Sequence, residues 1–211
     1  MNDIKMVHPR NIGWLEVDLD DTEMKFLWDA LKNPQRKIKR ELAGNIKDSR
    51  SLIDKDNWFF DNVLLNLCQV YAVQFKNLGE KIPVQKRHPY HLTAFWANYQ
   101  MATEFNPLHN HTGVYSFVVW MKIPTHYSEQ IKNSIALNST IDDAISNFAF
   151  NYIDILGEQS YHTYKMSPKQ EGKLVFFPAK LMHQVFPFYN CDDERISISG
   201  NISIDTSKEC T

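Results

Sequence analysis

The chain has 211 residues, a mass of 24.7 kDa and a formal net charge of −2 at pH 7. Hydrophobic residues make up 43% of it, which is enough for one sizeable core, and only seven glycines exclude a low-complexity or collagen-like chain. The nearly balanced charge argues against a protein dedicated to nucleic acid or anionic membranes, because such binding relies on an excess of basic residues. We therefore expect a single domain spanning residues 1–211.

The three cysteines, Cys68, Cys191 and Cys210, are widely spaced and form no C-x-x-C pair. This pattern argues against a disulfide framework and against a thiolate zinc site. The polar start of the chain lacks the apolar core of a signal peptide, and no apolar run approaches the ~18 residues of a membrane span. These features predict a soluble protein of the cytoplasm.

The first part of the chain has a mostly helical pattern. Asp20 or Asp21 can cap a helix with apolar residues at three- and four-residue steps, and Asn33-Pro34 ends it. A second apolar stripe predicts a helix over Asp56–Phe75. Between the two helices, residues 35–54 are mixed and charged, which is compatible with a loop that covers another part of the protein or with a solvated face.

From Leu92 onward the pattern changes to that of short β-strands separated by turn signals. Apolar segments predict strands at Leu92–Tyr99, Val114–Ile123, Phe148–Asp154, Lys173–Phe177, His183–Phe186 and Arg195–Ile204. Strands of this kind are typical of a sandwich or jelly roll. We predict an α+β, mainly β protein with a jelly-roll core over residues 91–205 and mostly helical support from residues 1–90. The polar segment 125–147 is expected to be a loop or short helix at the barrel mouth.

Two histidines, His109 and His111, are separated by one residue. On an extended segment their side chains point to the same side, so both imidazoles can bind one divalent metal. His183 lies 72 residues after His111 and can supply a third ligand from a distant strand, which leaves other coordination positions open for substrates. Taken singly, the H-x-H pair is also compatible with surface histidines, and His183 with a core side chain.

The last predicted strand has one polar and one apolar face. Alternation places Arg195, Ser197, Ser199 and Asn201 on one side and mostly isoleucines on the other. The polar side faces either solvent or the wet interior of a barrel. In the second case, Arg195 and Ser197 could bind a carboxylate through the guanidinium fork and a hydroxyl. The position of Arg195, twelve residues after His183, favours the barrel interior.

The order H-x-H, distal histidine and R-x-S resembles the iron(II)- and 2-oxoglutarate-dependent oxygenases. Segments 172–187 (GKLVFFPAKLMHQVFP) and 194–202 (ERISISGNI), with Trp96-Ala97-Asn98, are similar to a subgroup common in marine bacteria and their phages. The resemblance spans about residues 92–204. It implies a double-stranded β-helix core, cupin-like, with the N-terminal helices packed outside. It also implies oxidation of an unidentified prime substrate, with release of succinate and CO2.

Carried over residue by residue, the resemblance assigns iron(II) to three histidines, His109, His111 and His183. Arg195 and Ser197 would hold the distal carboxylate of the cosubstrate 2-oxoglutarate. Tyr99, ten residues before the first histidine, would line the cosubstrate pocket; Asn98 is the alternative, because neighbours on a strand face opposite sides. The expected partners are this small-molecule cosubstrate and the prime substrate, with no membrane and no nucleic acid.

The sequence departs from the family pattern at the second metal ligand. Most members have an aspartate or glutamate where this chain has His111, so three neutral histidines would leave bound iron(II) with two net positive charges instead of one. Glu104 is an alternative ligand, and His111 could also lie outside the ligand set. Two other functions remain open, namely a cupin-like three-histidine metalloenzyme that does not use 2-oxoglutarate and a non-catalytic jelly-roll binding module.

Overall fold

The computed structural model describes residues 5–7, 11–38, 42–137 and 144–210. The helices in this part of the chain are α1 (Asp21–Lys32), α2 (Leu65–Gln74), α3 (Tyr127–Gln130) and α4 (Ser134–Leu137). The strands are β1 (Leu15–Asp18), β2 (Asp48–Ser51), β3 (Tyr90–Gln100), β4 (Asn106–His109), β5 (Tyr115–Lys122), β6 (Phe148–Ile153), β7 (Gln159–Tyr164), β8 (Lys173–Pro178), β9 (Met182–Val185) and β10 (Arg195–Ile204). A 3-10 turn at Lys55–Asn57 and a π-helical turn at Phe60–Leu64 lead into α2.

The strands form two antiparallel sheets. The larger sheet has the order β1-β8-β5-β10-β3-β2, and the smaller has the order β4-β9-β6-β7. Apolar side chains of both sheets, including Trp120 and Phe148, pack into one cluster between them. This arrangement confirms the predicted mainly β jelly roll. The pairing of β4 with β9 places His109 opposite His183, so two distant segments of the chain meet at one point.

The two faces of the larger sheet have different environments. Its outer face packs against the helices through a cluster that includes Leu27 of α1 and Tyr71 of α2. The isoleucines of β10, Ile196, Ile198 and Ile202, belong to this cluster, which confirms the predicted apolar face of that strand. The opposite face of β10 turns toward the smaller sheet and carries its polar residues. The alternating sequence of β10 therefore accounts for both environments, with its apolar residues against the helices and its polar residues facing the smaller sheet.

The start of α1 is fixed by a reciprocal capping box, in which Asp20, one of the two predicted caps, is the N-cap residue. Asp20 Oδ1 accepts hydrogen bonds of 2.8 Å from the backbone N–H groups of Thr22 and Glu23. Glu23 Oε2 in turn accepts one of 2.8 Å from the backbone N–H of Asp20. These bonds satisfy N–H groups that have no partner within the helix.

Replacement of Asp20 by alanine is expected to lower the free energy of unfolding by about 1 kcal/mol, because it leaves these N–H groups without their side-chain acceptor. Urea unfolding followed by circular dichroism measures the change. Asp21→Ala is the matched control, since Asp21 lies in the same acidic first turn but does not cap it. Equal losses in both variants would show that general charge, not the cap, stabilises this end of α1.

The N-terminal part of the chain contains more β-structure than the sequence predicts. β1 pairs with β8 and β2 pairs with β3, so residues before 90 add a strand to each edge of the larger sheet. β1 reads Leu-Glu-Val-Asp and alternates, but with four residues it is too short for the pattern to stand out, and β2 reads Asp-Ser-Arg-Ser without an apolar residue. β4 and β7 were missed for a similar reason, because each is short or polar and lies at an edge of the smaller sheet.

Candidate active site between the sheets

A cavity of about 580 Å³ lies between the two sheets. β10 contributes Arg195, Ser197, Ser199 and Asn201 to its lining, so the polar face of this strand points inward, as predicted for a barrel interior. None of the lining residues in the described ranges is an aspartate or a glutamate. The volume is within the range typical of small-molecule sites.

One side of the cavity is lined by residues of 35–38 and 42–47, which we call the strap; residues 39–41 lie outside the described ranges. The backbone N–H of Ile38 donates to the Ser49 carbonyl at 2.9 Å, and that of Asn45 donates to the Phe105 carbonyl at 2.8 Å. The strap is thus attached both to β2 and to the segment before β4. Its Ile38 lines the cavity and is only 7% exposed. The cavity-lining residues of the strap agree with the expected covering loop, whereas Asp48–Ser51 of the same segment form strand β2.

The segment 125–147 contains the short helices α3 and α4, which agrees with the predicted loop or short helix. None of its residues within the described ranges lines the cavity, and residues 138–143, including Asn138, Ser139 and Thr140, lie outside those ranges. Ser146 has a φ of 56°, in the left-handed region that side-chain-bearing residues seldom adopt. Its carbonyl and hydroxyl both accept hydrogen bonds from Arg195. Ser146 therefore helps to position the Arg195 side chain, which lines the cavity.

The three predicted histidines converge on one point of the cavity. Their candidate ligand atoms all lie within 4.8 Å of one another. Nε2 of His111 and Nε2 of His183 are 3.0 Å apart, and the rings of His109 and His183 have centroids 4.3 Å apart. The β4–β9 register brings His109 and His183 together, and His111 lies two residues after the end of β4. The structure thus brings together the H-x-H pair and the distal histidine as one candidate metal centre.

Contacts with backbone carbonyls determine which ring nitrogen of His109 and of His183 is free to bind a metal. Nδ1 of His109 lies 2.6 Å from the Pro107 carbonyl, and Nδ1 of His183 lies 2.9 Å from the Leu181 carbonyl. Because a carbonyl oxygen can only accept, Nδ1 carries the proton in both rings and Nε2 keeps its lone pair. Orientation of a ligating imidazole by a backbone carbonyl is a usual feature of metal sites.

Burial keeps the three imidazoles neutral. Desolvation lowers the pKa of His109 and holds that of His183 well below its ordinary range. It also lowers the pKa of His111 to about 4, with smaller contributions from His109 and Lys180. A neutral imidazole is the form that binds a metal, so the set is ready to accept a divalent ion.

Glu104 is not available as an additional ligand. Its Oε1 accepts a hydrogen bond of 3.1 Å from the backbone N–H of Lys47, and its Oε2 accepts one of 3.0 Å from that of Met101. Both carboxylate oxygens are therefore engaged at the base of the strap. Within the described ranges, the group that could hold a metal consists of the three histidines alone.

Arg195 is a buried cation with unused hydrogen-bonding capacity. It is 2% exposed; Nη2 donates to the Ser146 carbonyl and hydroxyl, both at 2.9 Å, and Nη1 lies 3.5 Å from Gln100 Oε1. Its Nε is buried without a hydrogen-bond partner. Desolvation lowers its pKa to about 10, so it stays charged at neutral pH. A buried, incompletely paired guanidinium is costly unless an anion completes it, so this site fits a carboxylate such as that of 2-oxoglutarate.

The other predicted cosubstrate residues are divided between the two faces of the sheet. Ser197 lines the cavity, but Tyr99 does not. The Tyr99 ring packs on the outer cluster, with the Arg50 guanidinium 5.3 Å from its centroid. Asn98, the alternative, lines the cavity and accepts a hydrogen bond of 2.7 Å from Ser49. The structure therefore corrects the choice between these neighbours, because strand alternation turns Asn98 inward.

The fold and the site are those of a double-stranded β-helix protein in which one cavity is lined by a histidine cluster that could hold a metal and by a buried arginine. The family model described as "Putative 2OG-Fe(II) oxygenase" matches residues 94–201, about half of the chain. The chain belongs to this family. It is thus an oxidoreductase, a dioxygenase that depends on 2-oxoglutarate and uses iron(II). The matched range contains every predicted site residue.

Solved structures share the fold at low sequence identity. A prolyl hydroxylase from Trichoplax adhaerens, in complex with a hypoxia inducible factor peptide fragment, is 11% identical with a TM-score of 0.55, over 93% of this chain and 84% of that one. A 2OG-Fe(II) oxygenase family oxidoreductase from Burkholderia pseudomallei is 11% identical with a TM-score of 0.54, over 91% and 86%. A carbocyclase of nogalamycin biosynthesis is 10% identical with a TM-score of 0.53, over 92% and 79%. No curated protein matches the chain.

Proposed function

We propose that His109, His111 and His183 hold the iron(II) of this oxygenase, and that Arg195 with Ser197 holds the distal carboxylate of 2-oxoglutarate. The reaction is the hydroxylase-type oxidation of a prime substrate. One observation carries the proposal: the buried Arg195, with its unpartnered Nε, lines the same cavity as three convergent neutral histidines. A cosubstrate with a chelating end and a distal carboxylate matches both features.

The chain's own residues bind, orient and shield. Iron(II) held by the histidines supplies dioxygen activation and C–H oxidation, coupled to conversion of 2-oxoglutarate into succinate and CO2. The carbonyls of Pro107 and Leu181 hold two imidazoles with Nε2 directed at the metal position. Arg195 binds one end of the dianion and so orients it within the cavity. The strap residues that line the cavity would limit the access of bulk water and so strengthen the ionic contacts inside.

Two alternatives are not retained. A three-histidine cupin-type enzyme without 2-oxoglutarate has no use for an anion pocket beside its metal, and a binding module has no use for either. Family membership also decides against both. No helix among the described residues is long and apolar enough to cross a membrane. A cytoplasmic location, exclusion of nucleic acid as a partner and the bacterial or phage subgroup remain predictions.

The test is an anaerobic titration of the purified protein with iron(II) and then with 2-oxoglutarate. We expect a saturable visible metal-to-ligand charge-transfer band. His183→Ala should abolish both iron binding and the band, because it removes the ligand that closes the site. His126→Ala is the matched control, since His126 is exposed and lies outside the cavity. A full band in His183→Ala would overturn the proposed ligand set, and bound iron without a band would overturn the cosubstrate site.

A further inference from the structure

A line of aromatic side chains runs from the histidine cluster toward the protein surface. Ring centroids are 5.7 Å apart for His183 and Phe148, 5.6 Å for Phe148 and Trp120, and 5.6 Å for Trp120 and Tyr164. Beyond them, Trp14 Nε1 donates a hydrogen bond of 2.7 Å to the Tyr164 hydroxyl. Trp120 itself lines the cavity, whereas Trp14 is partly exposed. The line therefore connects the candidate metal centre with the outside through successive side-chain contacts.

Tyr164 carries a built-in proton acceptor at the outer end of this line. Its hydroxyl donates to Glu16 Oε1 at 2.5 Å. The other Glu16 oxygen is 3.3 Å from Lys173 Nζ, and Glu16 is exposed to solvent. Desolvation, followed by the contact with Glu16, raises the pKa of Tyr164, so it remains a phenol at neutral pH. A phenol hydrogen-bonded to a carboxylate can lose an electron and a proton together.

We propose that Trp120 and Tyr164 form an electron-transfer route that rescues the metal centre when dioxygen reacts without prime substrate. The inference rests on the proposed function, because the oxidant is the oxidised iron centre. Trp120 gives one electron to that centre, which is lowered by one oxidation state to iron(III). A small-molecule thiol would supply the second electron that returns iron(III) to iron(II), and solvent would supply the protons that release the oxygen atom as water. Tyr164 then gives one electron to the Trp120 radical cation, and its phenolic proton passes to Glu16. The product is a neutral tyrosyl radical, which a small-molecule thiol can reduce by supplying one electron and one proton.

The chemistry of the side chains selects this route. Tryptophan and tyrosine lose an electron far more readily than phenylalanine. Phe148, which lies between His183 and Trp120, is therefore not itself oxidised. Trp96 also lies near the cluster, with its ring centroid 5.5 Å from that of His111. Within the described ranges, however, the ring contacts of Trp96 reach no tyrosine and no second tryptophan. Tyr164 has both a tryptophan neighbour and a proton acceptor.

The decisive comparison is between the wild type and Tyr164→Phe. Each protein is loaded anaerobically with iron(II) and 2-oxoglutarate, mixed with dioxygen in the absence of prime substrate, and frozen within milliseconds to seconds. We expect the wild type to show the EPR signal of a tyrosyl radical, which narrows when the tyrosines are deuterated. Tyr164→Phe should lack this signal. Peptide mass spectrometry should then find oxygen added to Trp120 or Trp96, with inactivation after several-fold fewer turnovers of 2-oxoglutarate.

Two further variants separate electron transfer from a merely structural role. Glu16→Gln keeps an oxygen that can accept the hydrogen bond but cannot take the proton, so the radical yield should fall. Tyr161→Phe is the matched control, since Tyr161 lies on the same strand, is 56% exposed and should change neither signal nor turnover number. If Tyr164 served only to join the sheet edges, its replacement would alter urea unfolding and leave the radical in place.

Three outcomes would overturn the inference. Succinate formation without a tyrosyl radical in the wild type would remove the route while leaving the proposed function intact. Persistence of the radical in Tyr164→Phe would assign it to another tyrosine. Absence of both the charge-transfer band and succinate would remove the proposed function, and this inference with it.

Discussion

Replacement of Arg195 by methionine is expected to weaken 2-oxoglutarate binding by roughly 30-fold to several-thousand-fold. Loss of one partner of a buried ion pair costs about 2–5 kcal/mol, and each 1.4 kcal/mol is a factor of ten. Iron should still bind, because Arg195 contacts none of the histidines through its hydrogen bonds. The dissociation constant is measured from the charge-transfer band in an anaerobic titration, with iron affinity determined separately.

Arg195→Lys and an unfolding experiment complete this test. Lysine keeps the charge but lacks the planar fork, so its affinity for 2-oxoglutarate should lie between those of the wild type and Arg195→Met. Iron-free Arg195→Met should still unfold cooperatively in urea, because the residue it replaces is a buried cation that is incompletely paired in the described structure. An unchanged dissociation constant in Arg195→Met would place the distal carboxylate elsewhere in the cavity.

The parts of the fold that were predictable are those where one face of an element is buried. β5, β8 and β10 are long, apolar on at least one face and central in the larger sheet, so burial itself imposes the pattern that the sequence shows. β1 and β2 lie at the edges of that sheet; β1 alternates over only four residues, and β2 has no apolar residue, so neither gives a clear signal. Their pairing depends on partners more than 40 residues away in the chain.

The candidate site was predictable where chemistry restricts the residue type. A metal needs imidazoles and a carboxylate needs a guanidinium, so His183 and Arg195 stand out among apolar neighbours. Tyr99 was chosen in place of its neighbour Asn98, which lines the cavity. The sequence of β3 has apolar and polar residues on both faces, so it does not show which face points inward. The strap was ambiguous for another reason. Its charged residues suit solvent, and only the backbone hydrogen bonds of Ile38 and Asn45 show that it covers the cavity.

The proposed three-histidine set would change the charge of the loaded site. Iron(II) with three neutral imidazoles and the guanidinium of Arg195 carries three positive charges, and 2-oxoglutarate supplies two negative ones. One positive charge then remains, whereas a carboxylate in place of His111 would bring the site to neutrality. The lining residues within the described ranges provide no acidic group to offset it. Because Coulomb interactions are strong in a water-poor cavity, this charge should tighten the binding of the dianionic cosubstrate.

His111 therefore offers the second large prediction, which also decides whether it is a ligand. Loss of a residue that merely orients a metal ligand costs typically 10- to 100-fold in metal affinity. His111→Ala should exceed this range, because Nε2 of His111 lies only 3.0 Å from that of His183 and no carboxylate is free to replace it among the described residues. His111→Asp should restore iron binding, since it supplies an anionic ligand at the same position. Iron affinity is measured by competition with a chelating indicator under anaerobic conditions.

The same pair of variants tests the charge argument. If the extra positive charge attracts 2-oxoglutarate, His111→Asp should bind iron but hold the cosubstrate more weakly than the wild type, and its charge-transfer band should shift because the metal's donor set has changed. Added salt should not abolish this difference in cosubstrate affinity, since a buried site is screened much less than an exposed one. A His111→Ala protein that binds iron within about a hundredfold of the wild type would place His111 outside the ligand set. The metal would then rest on His109 and His183 alone, with a vacant position where this chain departs from its family.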